Sequence, residues 1–161
     1  MFKHHYTCSM KIEEAIKQTK PFKSKEQKLT VNLMYTSNWL SHKMREFFKD
    51  YGLTTKQYNI LRILKGASVP VSVAFIRERL LDKVSDVSRI VDRMSSKELV
   101  KKNVCSKDKR LVDIALTHKG EMLLKSINEN IVYLDRLMSG LNTKELNALN
   151  KLLDKLRSNN L

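Results

Sequence analysis

The sequence predicts a mainly α-helical chain that carries one small β-hairpin. Three observations predict it. Apolar residues recur at three-, four- and seven-residue spacing over most of the length. Strict alternation is confined to two short runs around a charged tip, between residues 100 and 116. Linker material is scarce, with 4 Gly and 2 Pro in 161 residues. This length is enough for one domain with a real core.

Residues 1–25 are polar and basic and read as an arm, in which residues 12–20 form a short helix stopped by Pro21. A long helix follows over residues 26–50, because Leu29, Leu33, Leu40, Met44, Phe47 and Phe48 share one face. Gly52 suits the position after a helix end. Thr54 and Gln57 then fit a capping box, in which each satisfies the other's free backbone donor. The helix that follows carries Tyr58, Leu61 and Leu64 and stops near Gly66.

Pro70, Val71 and Ser72 introduce a helix over residues 73–80. After a short turn another runs from Ser85 or Asp86 to Lys97, with Ile90, Val91 and Met94 facing inward. Ser88, Arg89, Asp92 and Arg93 occupy its other side. Two short helices joined in this way form a helix-turn-helix. A hairpin comes next. Val100, Lys102 and Val104 share a face of its first strand, and Val112, Ile114 and Leu116 share a face of its second. The charged tip, residues 106–110, is too long for a two-residue turn. Thr117 caps a long helix that Gly140 breaks, and Asn142 or Thr143 starts the last one, which carries Leu146, Leu149, Leu152, Leu153 and Leu156.

The net charge is +14, from 31 basic and 17 acidic side chains. The densest basic run, residues 97–110, lies in the hairpin, so a polyanionic partner is expected. A helix that ends in a basic hairpin suits double-stranded DNA: the helix enters a major groove while the hairpin reaches the neighbouring backbone or minor groove. No apolar run approaches membrane-spanning length, and residues 1–10 lack a signal-peptide core. Two cysteines, Cys8 and Cys105, make no disulfide framework. The expected location is therefore the cytoplasm. No nucleophile–base set, phosphate-cradling loop or cofactor motif appears, so no enzyme and no cofactor are expected. His4, His5 and Cys8 have ligand-like spacing but lack a fourth ligand, and no metal site is assigned to them.

The second helix of the pair is the candidate reader. Its Ser85, Asp86 and Ser88 are placed to meet base edges or phosphates. Arg89 either binds guanine through O6 and N7 or pairs internally with Asp86 or Asp92. Arg93, one turn on, suits phosphate or a carboxylate. The long apolar stripes at both ends of the chain exceed what a small hairpin-bearing domain needs. They imply a two-fold dimer, whose paired reading helices would match two half-sites.

Four segments carry a family resemblance, in order and at the right spacing: residues 86–94 (DVSRIVDRM), 97–100 (KELV), 108–110 (DKR) and 116–120 (LTHKG). Together they resemble the MarR family of bacterial transcription regulators, over residues 26–157 in element order. The resemblance implies a winged helix-turn-helix homodimer on pseudo-palindromic operator DNA, commonly a repressor released by a small aromatic ligand or by oxidation. It implies a DNA-binding lobe at about 53–117 and dimerisation helices at about 26–51 and 117–157. It also implies that Arg110 enters the minor groove while Asp108 holds it, with Lys107 and Lys109 on phosphates. A narrow minor groove, with its concentrated negative potential, favours such an arginine.

Tyr35, Trp39, His42, Met44 and Tyr58 would line the family's ligand pocket, although an aromatic cluster at this spacing equally suits core or interface. Glu98 stands where the family often has Gly, so the turn into the hairpin is open to difference. A redox-responsive regulator acting through Cys105 or Cys8 is a second reading. A non-specific DNA-coating or architectural protein, or a protein-interaction module of the same fold, are others. Arg89 and the Asp108–Arg110 pair favour sequence-specific binding.

Overall fold

The computed structural model describes residues 10–82, 86–104 and 112–158, apart from the side chain of Val104. Within this range lie eight helices and three strands. The chain divides into two compact units, residues 1–44 and 45–161.

In the first unit, α1 (Ile12–Ala15) is one turn long. It is shorter than the helix expected over residues 12–20, because Lys17 adopts a left-handed φ of 53° and ends it well before Pro21. Glu13 of α1 accepts from Lys28 at 2.6 Å, and Ile12 is buried. Helix α2 (Lys25–Lys49) begins where Ser24 Oγ accepts from the backbone N–H of Gln27, at 3.1 Å. It runs through the division into the second unit.

The second unit holds the rest. Helix α3 (Thr55–Ala67) opens on the expected capping box, Gln57 N–H to Thr54 Oγ1 at 3.2 Å and Thr54 N–H to Gln57 Oε1 at 2.9 Å. Strand β1 (Val71–Ser72) leads directly into α4 (Val73–Arg79), where Ser72 Oγ caps the N–H of Phe75. Helix α5 (Val87–Ser96), strands β2 (Val100–Val104) and β3 (Val112–Leu116), and helices α6 (His118–Asn130), α7 (Val132–Arg136) and α8 (Thr143–Ser158) follow. Phe48, Ile60, Ile76, Met94, Ile114 and Ile127 are each under 2% exposed, so α2, α3, α4, α5, β3 and α6 meet in one core. Each such side chain contributes about 1.5–3 kcal/mol by leaving water.

Two further expectations are corrected. The sheet has three strands rather than two, in the order β1-β3-β2, all antiparallel. Val71 pairs with Ile114 and Ser72 with Asp113, so the residues expected only to start α4 also form an edge strand. The long helix after Thr117 breaks at Ile131, ahead of Gly140. There the Asn130 amide donates back to the Ser126 carbonyl at 3.0 Å, and Leu134 N–H tightens onto Ile131 O at 2.8 Å. A short amide side chain that bonds locally competes with the helix ladder.

Candidate nucleic-acid interface

Helix α5 is amphipathic in the sense a reading helix needs. Val87, Val91 and Met94 are each at most 1% exposed and seat it on the core. Ile90, expected to face inward with them, is only half-buried, and Val87 takes its place. Ser88, Arg89, Asp92 and Arg93 face solvent.

Asp86 is the N-cap. Its Oδ1 accepts from the backbone N–H of Arg89 at 3.2 Å, and its Oδ2 meets Arg89 Nε at 3.2 Å. Arg89 still leaves 82% of its side chain in solvent. Asp92, the other carboxylate within reach in sequence, instead takes Lys102 of β2, so it ties the hairpin to α5. Lys102 is thereby directed at α5, while Lys101, its neighbour on the opposite strand face, is exposed.

The end of α5 is locked in three ways. Glu98 is left-handed, with φ 60°. Its N–H donates to Ser95 O at 2.9 Å, and Leu99 N–H donates to Met94 O at 3.0 Å. This is the Schellman pattern of a helix C-terminus, which glycine usually serves. Glu98 therefore retains the geometry in spite of its side chain. Lys97 Nζ donates to Gly52 O at 2.6 Å, which fixes the helix end to the loop before α3.

The third lock explains the spacing of residues 116–120. Thr117 Oγ1 caps α6 by accepting from Gly120 N–H at 3.1 Å, and its own hydroxyl donates to Glu98 O at 2.7 Å. Thr117 N–H donates to Leu99 O at 3.2 Å. Gly120 sits so near Leu99 O that no Cβ fits between them. Lys119 reaches Glu98 at 2.9 Å and holds its carboxyl below the usual glutamate range. These bonds join the start of α6 to the junction of α5 and β2. Sequence inspection missed Lys97, Lys102 and Lys119 as positioning groups. All three are long cations in a lysine-rich chain, and their partners are distant in sequence.

Of the other expected site residues, Ser85, Lys107, Asp108, Lys109 and Arg110 lie outside the described residues, as do Cys8, Cys105, His4 and His5. Tyr35 is 44% exposed and borders a groove of about 360 Å³ between α1 and the first half of α2. Trp39 and His42 are exposed and Met44 is half-buried, all in the first unit. Tyr58 belongs to the second unit, where it is buried and stacks on Phe48 at 4.3 Å. Its burial pushes the phenol pKa up. Arg62 lies 5.8 Å from the same ring, within cation–π range. Among the described residues no His, Cys, Asp or Glu cluster suits a metal, and no helix is long and apolar enough to cross a membrane.

The MarR family sequence profile matches residues 51–111, the stretch from the end of α2 to the hairpin. Over 112 residues the chain is 33% identical to the HTH-type transcriptional regulator MgrA of Staphylococcus aureus, an alignment covering 68% of this chain and 73% of MgrA. The chain belongs to the MarR family of transcription regulators. Solved MarR-like structures share its fold. The organohalide-sensing regulator RdhR, crystallised with 2,4-dichlorophenol, matches with a TM-score of 0.78 at 23% identity over 89% of this chain and 88% of its own. A variant of MarR from Escherichia coli, crystallised with operator DNA, matches with a TM-score of 0.69 at 23% identity over 78% of this chain and 91% of its own. These relatives are transcription regulators, and α5 with the three-stranded sheet beside it has the winged-helix fold of the MarR-like structures.

Proposed function

We propose that this MarR-family chain is a homodimeric, sequence-specific DNA-binding repressor that leaves a pseudo-palindromic operator when a small aromatic ligand binds. The observation that carries DNA reading is the division of α5. Val87, Val91 and Met94 are buried, while Ser88, Arg89 and Arg93 stand in solvent with no packing role. Arg89 reads a base, Arg93 meets phosphate, and Asp86 and Ser88 border the groove. Lys107, Asp108, Lys109 and Arg110 supply the wing's phosphate and minor-groove contacts in this reading, with Ser85 at the helix entry. Dimerisation is supported by α8, whose Leu149, Leu152 and Leu156 are 44%, 64% and 43% exposed in the single chain. Repression follows from occupancy: a dimer spanning two half-sites blocks other proteins at that DNA, in the cytoplasm.

Release by a ligand is supported by the family and by the dichlorophenol-bound relative. Tyr35, Trp39, His42 and Met44 of the first unit are the side chains offered for it; Tyr58, buried against Phe48 in the second unit, is not among them. The test of the central reading is competition binding. A selected operator should beat bulk DNA by at least about 10³ at physiological salt. Arg89→Ala should cost roughly 1–3 kcal/mol and relax preference at one base position. Equal competition by random DNA would leave a non-specific, architectural role instead.

A further inference from the structure

We propose that Asp86 is a positioning residue for base reading. It clamps Arg89 so that the terminal edge of the guanidinium is presented to a guanine, and it sharpens sequence preference without itself touching a base. The inference rests on the reading of α5 given above.

The geometry is specific. One carboxylate does two things at once: Oδ1 closes the first turn of α5 by accepting from the Arg89 N–H, and Oδ2 forms an ion pair with Arg89 Nε, each at 3.2 Å. The cap fixes where Oδ2 sits, because both oxygens belong to one planar group on a helix start. Nε is thereby the guanidinium nitrogen that faces the carboxylate. Among the described residues the guanidinium has no other partner, so its two Nη groups remain for an outside acceptor pair. Guanine offers such a pair at O6 and N7. An exposed arginine must otherwise give up much rotamer freedom when it binds, whereas a clamped planar fork gives up less.

The charge of Asp86 supports the same role. A carboxylate 57% exposed at the tip of a DNA-facing helix repels phosphate, and it weakens binding to every sequence alike. A residue kept for bulk affinity would not be acidic. Its effect on a base-reading arginine is the opposite one, since it denies Arg89 the freedom to swing to a phosphate. Asp92, the alternative partner, is occupied by Lys102, so the clamp falls to Asp86 alone.

The test uses the full chain and three sets of variants. Asp86→Asn and Asp86→Ser keep a good helix cap. The neutral Asn amide loses the ion pair, and the Ser hydroxyl is too short to reach Nε. Arg89→Ala removes the reader. Each protein selects from a pool of duplexes with a randomised core, and its affinity for bulk DNA and its melting temperature are measured. The expected result is that Arg89→Ala erases preference at one guanine. Asp86→Asn and Asp86→Ser should weaken preference at that same position by about tenfold. Their melting temperatures should stay near the original, and their affinity for bulk DNA should rise, because a negative charge leaves the DNA-facing surface.

Preference retained in both Asp86 variants, or affinity lost equally for all sequences, overturns the positioning role while leaving α5 as the reader. Preference retained in Arg89→Ala overturns the reading of α5, and the clamp with it.

Discussion

Gly120 of α6 lies directly against the carbonyl oxygen of Leu99, at the point where α5 gives way to β2. A Cβ there would also come within 2.8 Å of Leu116 Cδ1. The carbonyl cannot retreat easily, because it accepts from Thr117 N–H at 3.2 Å. Gly120→Ala should therefore destabilise by about 2–3 kcal/mol, since forced overpacking outweighs the roughly 1 kcal/mol by which alanine favours a helix. Urea unfolding checks this: the midpoint should fall with an unchanged slope. A midpoint at or above the original would show that the two segments part freely.

Glu98 occupies a left-handed position that costs an ordinary side chain energy. Glu98→Gly should raise the melting temperature by about 3 °C, because glycine removes that strain and the lost surface pair with Lys119 contributes little. Thermal melts followed by circular dichroism measure it. A lower melting temperature would mean that the Lys119 contact outweighs the backbone strain.

Glu98 and Glu121, two of four glutamates among the described residues whose pKa is lowered, add a small loss of stability on the acid side. Glu98 and Glu121 are held below the ordinary glutamate value of 4.5, chiefly because Lys119 and Lys65 donate hydrogen bonds to them. A depressed folded-state pKa stabilises above the ordinary value, and that stabilisation is lost as pH falls through the folded-state value. The melting temperature should decline more steeply once pH drops below 4.5. In a Lys65→Met, Lys119→Met double variant that decline should be shallower. An identical acid profile in the two proteins would remove these pairs from the account.

The exposed stripe of α8 is the expected subunit contact. Leu149→Glu with Leu152→Glu should halve the sedimentation mass while leaving the helical signal in place, because neither residue is buried within one chain. Affinity for a palindromic operator should fall far more than affinity for a single half-site. A dimer that survives both substitutions would place the contact elsewhere.

What the sequence discloses about this fold follows from where each interaction is made. The caps at Thr54 and Thr117 were legible because both partners lie within three residues. Strand β1 was not, since it has two residues and its pairing with Ile114 and Asp113 spans some forty positions. Ser72 hid it further by also being a good helix cap. The break at Ile131 lacks Gly or Pro, and the apolar period runs on through it. The sequence narrows the partner of Arg89 to Asp86 or Asp92, each three residues away. Only the packing of β2 beside α5, which gives Asp92 to Lys102, decides between them. Tyr58 has a polar tip that suits a ligand cavity as well as a core, and its stacking on Phe48 places it in the core.

The central place of β3 has a mechanical consequence. One edge of β3 carries β2 and the other carries β1, whose last residue caps α4. A load applied to the finger is therefore relayed along the middle ribbon into the leading half of the helix pair, without passing through any loop. A transplanted finger that omits Val71 and Ser72 would leave that ribbon with a bare edge and its cargo unmoored.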